Sequence, residues 1–152
     1  MNVRRMNPLT GMVILMFLAA LSGGAQAWIS GKNLEAALRG TPREAAIRDA
    51  GLPLVRVPEM RRIVEGGTHL ILDARSMEEY DRGHLPGAMP LPLADFEHAF
   101  PGIAPMLSPD DPLVVYCSGP RCDDALLLGQ RLKEAGFANV SVFLDGWQGW
   151  SE

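Results

Sequence analysis

From residue 52 onward, short apolar runs alternate with segments of helical periodicity, and this alternation narrows the possible folds more than any other feature of the 152-residue chain. "LPLVRV", "HLILDA", "GAMPLP", "LVVYC" and "VSVFL" have the length and residue types of strands. "PEMRRIVEGG", "SMEEYDRG", "LADFEHAF" and "CDDALLLGQRLKEAGF" read as helices. Alternation of this kind predicts an α/β fold with a central parallel sheet of about five strands and helices on both faces. In the last helix Ala125, Leu128 and Leu132 form an apolar stripe, Leu126 and Leu127 widen it, and Gly136 closes it. That stripe must pack on the sheet.

The N-terminus is different in kind. No residue from Met6 to Gly31 is charged, Arg4 and Arg5 stand just before, and "GMVILMFLAALSGG" is strongly apolar. The small-x-small run "AQA" at residues 25–27 suits a cleaved signal peptide, whereas extension through Trp28 and Ile29 suits a retained membrane anchor. With the arginines held inside, either reading places the rest of the chain outside the cytoplasm of a bacterial cell. It would then be periplasmic or tethered to the inner membrane through residues 6–30. The expected organisation is a leader or anchor helix at 1–27, a helical linker at 28–51 and the α/β domain at 52–152. Within the linker, "KNLEAALRG" and "TPREAAIRDAG" are short helical pieces, the second opening with Thr41, Pro42 and Glu44 as a capping box and stopping at Gly51.

Composition removes several classes of function. The net charge is −4, and without the two leader arginines 12 basic residues face 18 acidic ones, which argues against a nucleic-acid partner. Two cysteines do not make a disulfide scaffold, and His69, His84 and His98 are too scattered for a metal site.

The chemistry concentrates in "VVYCSGPRCDDALLL", residues 114–128, where an apolar run stops at Cys117 and a helical pattern resumes behind Cys122. In parallel α/β sheets, ligands gather beyond the carboxyl ends of strands, which is where this thiol is expected. Loop N–H groups and the following helix N-terminus would favour its thiolate, the nucleophilic form. Gly119 is expected to supply a positive φ and a close approach, Pro120 removes one N–H donor, and Arg121 is the loop's only cation. Cysteine often merely packs. A residue that only fills space, however, needs neither this turn nor a helix start behind it.

The chain resembles the single-domain rhodanese-like sulfurtransferases over residues 52–150. "LILDARSMEEYDRGHLPGAMPLP" is similar to the family's first signature, "VVYCSGPRC" to its active-site loop, and "GFANVSVFLDGWQGW" to its closing strand and Gly-Trp segment, with Asp145 where Gly-Gly is commoner. The resemblance implies that Cys117 takes a sulfane sulfur from a thiosulfate, persulfide or polysulfide donor, carries it as a persulfide and passes it to a thiol or protein acceptor. Residues 117–122 would cradle the donor, with no metal or organic cofactor. Ser118 stands where family loops often carry arginine, and Asp123 and Asp124 follow directly, so a doubly negative donor such as thiosulfate is expected to be a poor substrate.

Cys122 is either a small helix-start residue or a resolving thiol for Cys117. The supporting residues are expected to serve architecture more than chemistry. Asp73 would hold loop amides, Arg75 and Glu79 would pair across a helical turn, His84 would cap or brace the turn at Pro86 and Gly87, and Trp147 and Trp150 would pack or wall the pocket. A phosphatase needs arginine six residues after the cysteine, and Asp123 stands there. A thiol-disulfide redox protein using Cys117 and Cys122, or a non-catalytic persulfide-sensing module, are the competing functions.

Overall fold

The structure, a computed structural model, describes residues 40–152. The expected leader at 1–27, the expected tether at 6–30 and the first half of the 28–51 segment lie outside the described residues. No described helix is long and apolar enough to cross a membrane. Residues from Pro42 to Glu152 form one compact unit.

Its frame is a five-stranded, all-parallel sheet of order β1-β5-β4-β2-β3. The strands are β1 (Leu54–Val55), β2 (Leu70–Asp73), β3 (Ala88–Pro90), β4 (Leu113–Tyr116) and β5 (Val140–Phe143). The helices are α1 (Pro42–Asp49), α2 (Val57–Gly66), α3 (Met77–Arg82), α4 (Phe96–Ile103), α5 (Asp124–Glu134) and α6 (Gly146–Ser151). Every expected strand is present, trimmed to its hydrogen-bonded centre. The short helix α6 was read in sequence only as a Gly-Trp segment, because six residues with two glycines carry no helical period.

Side-chain alternation along β4 assigns the two faces. Leu113, Val115 and Cys117 point into one cluster with Leu72, Val142 and the α5 stripe Ala125, Leu128 and Leu132. Ile47 of α1 and Phe96 of α4 join the same cluster. Val114 and Tyr116 point into the other, with Met60 and Ile63 of α2, Phe143, and the flanking Tyr80, Trp147 and Trp150. Burial on both faces explains why β4 reads as an unbroken apolar run rather than an alternating one. Being central, β4 delivers its C-terminal residue to the middle of one sheet edge, between α5 on one face and α6 on the other.

Candidate active site

Cys117 follows the last residue of β4 and is 2% exposed, while Cys122 is half-buried at the entry to α5. The loop between them is tied from below. The Cys117 carbonyl accepts from Trp147 N at 2.9 Å, the Ser118 carbonyl accepts from Gln148 N at 2.9 Å, and Cys122 N donates to the Gly119 carbonyl at 3.0 Å. The first turn of α6 therefore clamps the loop. Gly119 approaches Gln148 closely, as its sequence position suggested, but its φ is not positive. The left-handed residue is Gly146 (φ 61°) at the start of α6, whose missing Cβ lets the clamp close on the Cys117 carbonyl.

The loop folds Cys122 back over Cys117. Cys117 Sγ donates toward the Cys122 carbonyl at 3.3 Å, and the two side chains share a hydrogen bond. That bond, with burial next, pushes the Cys117 thiol well above its ordinary value, although Ala125 and Gly119 N–H groups face the sulfur. The same bond, helped by the N–H groups of Asp124 and Ser118, lowers Cys122 to about 7 against its own burial. The expected bare thiolate on Cys117 is thus replaced by a pair that releases its first proton easily and its second with difficulty, because two adjacent thiolates repel. Alkylation of Cys122 by uncharged iodoacetamide, followed by peptide mass, should reach half its plateau rate near the lowered value of about 7. In Cys117→Ala the half-point should rise toward the ordinary thiol value of about 8.5. An unchanged midpoint in the variant would refute the shared proton.

Around the loop, the structure redistributes the charges expected from sequence. Arg75 does not pair with Glu79. Its guanidinium closes on Asp73, with Nη2 2.6 Å from Oδ2 and Nε 3.0 Å from Oδ1, and it also donates to the Gly83 carbonyl at 2.8 Å. Asp73 is fully buried at the end of β2 and needs a counter-charge, which outbids the only partly buried Glu79. It holds one loop amide as expected, accepting from Arg75 N at 3.0 Å, and also accepts from the Tyr116 hydroxyl. Trp147 lies 5.2 Å over the Arg75 guanidinium, so this tryptophan packs a buried cation. Trp150 similarly covers Arg61 at 5.0 Å. His84 stacks on Tyr80 at 3.8 Å with Nδ1 3.0 Å from the Tyr80 carbonyl, capping α3.

Glu79 serves the loop instead. It forms the capping box of α3 with Ser76, and its Oε1 accepts from the Ser118 hydroxyl at 3.0 Å. Burial opposes its charge, but the hydrogen bonds from Ser118 and Ser76 and the nearby Arg75 outweigh it and hold the carboxyl below its ordinary range. Ser118 therefore brings an ionised carboxylate to the loop where a cation was the familiar alternative. Asp123 is bridged by Arg43 of α1 at 3.0 Å, a link between elements that sequence spacing could not reveal. Arg121 is exposed. Shallow clefts flank the loop. One of about 360 Å³ is lined by Val57, Pro120, Asp145, Gln148, Gly149 and Glu152, and another of about 270 Å³ includes Ser76, Glu79 and Asp124. Asp145 faces α2, accepting from Val57 N at 3.2 Å and from Arg56 at 2.9 Å.

The rhodanese-like domain family matches residues 57–152, which takes in β2 to β5, the loop and its clamp. The chain belongs to the rhodanese-like family. Among relatives of this rhodanese-like chain, human thiosulfate:glutathione sulfurtransferase is 31% identical, covering 64% of the chain and 95% of the human protein. The Bacillus subtilis protein YrkF, named as a candidate sulfur carrier, is 28% identical over 80% of the chain, which spans 63% of that protein's length. The solved human single-domain sulfurtransferase matches with a TM-score of 0.56 and 25% identity, over 65% of this chain and 95% of that one.

Proposed function

We propose that this rhodanese-like protein is a sulfurtransferase that carries sulfane sulfur on Cys117. The observation that carries the reading is the placement of that sulfur, beyond the central strand, before the helix α5 and facing the N–H groups of Ala125 and Gly119. A sulfur so placed, once its proton has passed to the neighbouring Cys122 thiolate, can take the terminal sulfur of a donor and later yield it to an acceptor thiol. Because Cys117 is 2% exposed, only a slim terminal sulfur fits its approach.

The donor is a persulfide or polysulfide rather than thiosulfate. Glu79, held ionised beside Ser118, and Asp124 in the adjoining cleft oppose a dianion, whereas a singly charged or neutral sulfur chain meets less repulsion. Intact mass of the reduced Pro42–Glu152 unit after polysulfide exposure should show a gain of about 32 Da that is absent in Cys117→Ser. No gain with any donor would move the reading to a sensing or structural module. Steady-state rates should favour polysulfide over thiosulfate. Glu79→Gln, which retains the capping box, should raise the thiosulfate rate several-fold by removing the opposing charge. A wild-type preference for thiosulfate would sink the donor assignment.

The uncharged stretch behind Arg4 and Arg5 supports a site of action outside the cytoplasm, exported or tethered. Fractionation of cells expressing the full chain tests this, and recovery only in the cytosol would refute it.

A further inference from the structure

Persulfide chemistry on Cys117 leaves Cys122 without a role, yet the fold spends the last position of the loop on a second thiol. Cys117 Sγ lies 3.3 Å from the Cys122 carbonyl, so the loop folds the second cysteine back onto the strand-end sulfur. The Cys122 sulfur faces the Asp124 and Ser118 N–H groups and is half-buried, whereas Cys117 is nearly sealed. A persulfide formed on Cys117 is thus born next to an internal nucleophile, closer than any acceptor that must arrive from solvent.

We infer that Cys122 resolves the Cys117 persulfide, so that the protein releases hydrosulfide and closes a Cys117–Cys122 disulfide. This rests on the sulfurtransferase reading above. In the step, the Cys122 thiolate attacks Sγ of the persulfide, and a disulfide bond forms between the two cysteines. The bond from Sγ to the terminal sulfur breaks, and that sulfur leaves with the electron pair and its proton as hydrosulfide. The sulfane sulfur gains two electrons, and the two cysteine sulfurs together lose two. Two equivalents of a low-molecular-weight thiol, or one dithiol, then restore the pair and are themselves oxidised to a disulfide. The substrate class is the same sulfane-sulfur donor. The product is free hydrosulfide rather than a sulfurated acceptor, which makes the reaction a thiol-dependent reduction of persulfides.

The geometry also explains the lowered Cys122. In the reduced pair the hydrogen bond from Cys117 and the two amides together lower Cys122; once Cys117 carries sulfur that bond is gone, and the Asp124 and Ser118 N–H groups remain to favour the thiolate.

The test is a single turnover of the reduced Pro42–Glu152 unit with limiting polysulfide and no added thiol, following hydrosulfide and intact mass in wild type, Cys122→Ser and Cys117→Ser. Wild type should release about one hydrosulfide per sulfane sulfur loaded, and the chains that turn over should end about 2 Da lighter than the dithiol form. Cys122→Ser should keep its gain of about 32 Da and release hydrosulfide only when a thiol is added. Wild type that holds the added sulfur as long as Cys122→Ser, or carries it on Cys122, overturns the resolving step while leaving sulfur transfer intact. Absence of any gain in Cys122→Ser overturns the sulfurtransferase reading and this step with it.

Discussion

Asp73→Ala should unfold the protein at much lower denaturant than wild type, with a loss of about 3–5 kcal/mol, because it strands a buried cation. The Arg75 side chain is 3% exposed and takes its charge balance from Asp73, whose carboxylate it meets through Nε and Nη2. Burial alone works against the guanidinium charge, and the hydrogen bonds and charge of Asp73 outweigh it and raise Arg75 above its ordinary value. Removing the carboxylate leaves the desolvation cost offset only by the Gly83 carbonyl, the Tyr116 and Trp147 rings and the more distant Glu79. It also orphans the Tyr116 hydroxyl, whose proton burial and the Asp73 bond hold in place and which accepts from Leu85 N at 3.2 Å. Asp73→Asn should cost less, since the amide oxygen can still accept from Tyr116. Replacing both partners by apolar residues of similar volume should cost less than Asp73→Ala, because no charge is then left buried. Urea denaturation of the series measures the order, and an Asp73→Ala loss within about 0.5 kcal/mol, typical of a surface change, would refute it.

Gly146→Ala should damage the loop and the fold together. The left-handed φ of 61° costs a residue with a Cβ about 1–2 kcal/mol by itself. The added Cβ would also lie 2.4 Å from the Cys117 carbonyl oxygen and 2.7 Å from Gly119 N, so the loop or α6 must move. Either movement breaks the bonds from Trp147 N and Gln148 N that fix residues 117–118. Gly136→Ala is the matched control, with a φ of 99° and no atom within 4 Å of its would-be Cβ. Both variants should lose stability in denaturation, and only Gly146→Ala should lose sulfur loading on Cys117 as well. Equal loading in the two would show that the clamp does not govern the thiol.

These two positions mark where the sequence stopped being legible. Gly146 sits in "LDGWQGW", where a glycine pair signals a turn but not which backbone it must touch. Its partner, the Cys117 carbonyl, is 29 residues away, and no local pattern connects them. Asp73 and Arg75 are two residues apart in sequence, yet helical spacing matched Arg75 to Glu79. Burial decided otherwise, since the buried carboxylate has the greater need of a cation and Glu79 is engaged by two serine hydroxyls. Tyr116 reads as one more apolar residue of β4, because nothing in "LVVYC" tells that its hydroxyl ends on a carboxylate of the neighbouring strand.

The order of strands and helices, the parallel sheet and the placement of Cys117 at a strand end follow from the sequence alone. They depend on periodicity, turn residues and apolar run length, all of which are local. The Ser76–Glu79 capping box and the α5 stripe are local in the same sense. What the tertiary structure alone decided is which charges neutralise which and how the thiols ionise. Those outcomes depend on burial and on contacts between distant segments, where a change of a few ångströms alters the electrostatic balance. Sequence could thus single out Cys117 as the candidate thiol, and only the packed loop coupled its proton to Cys122 and tied its carbonyl to α6.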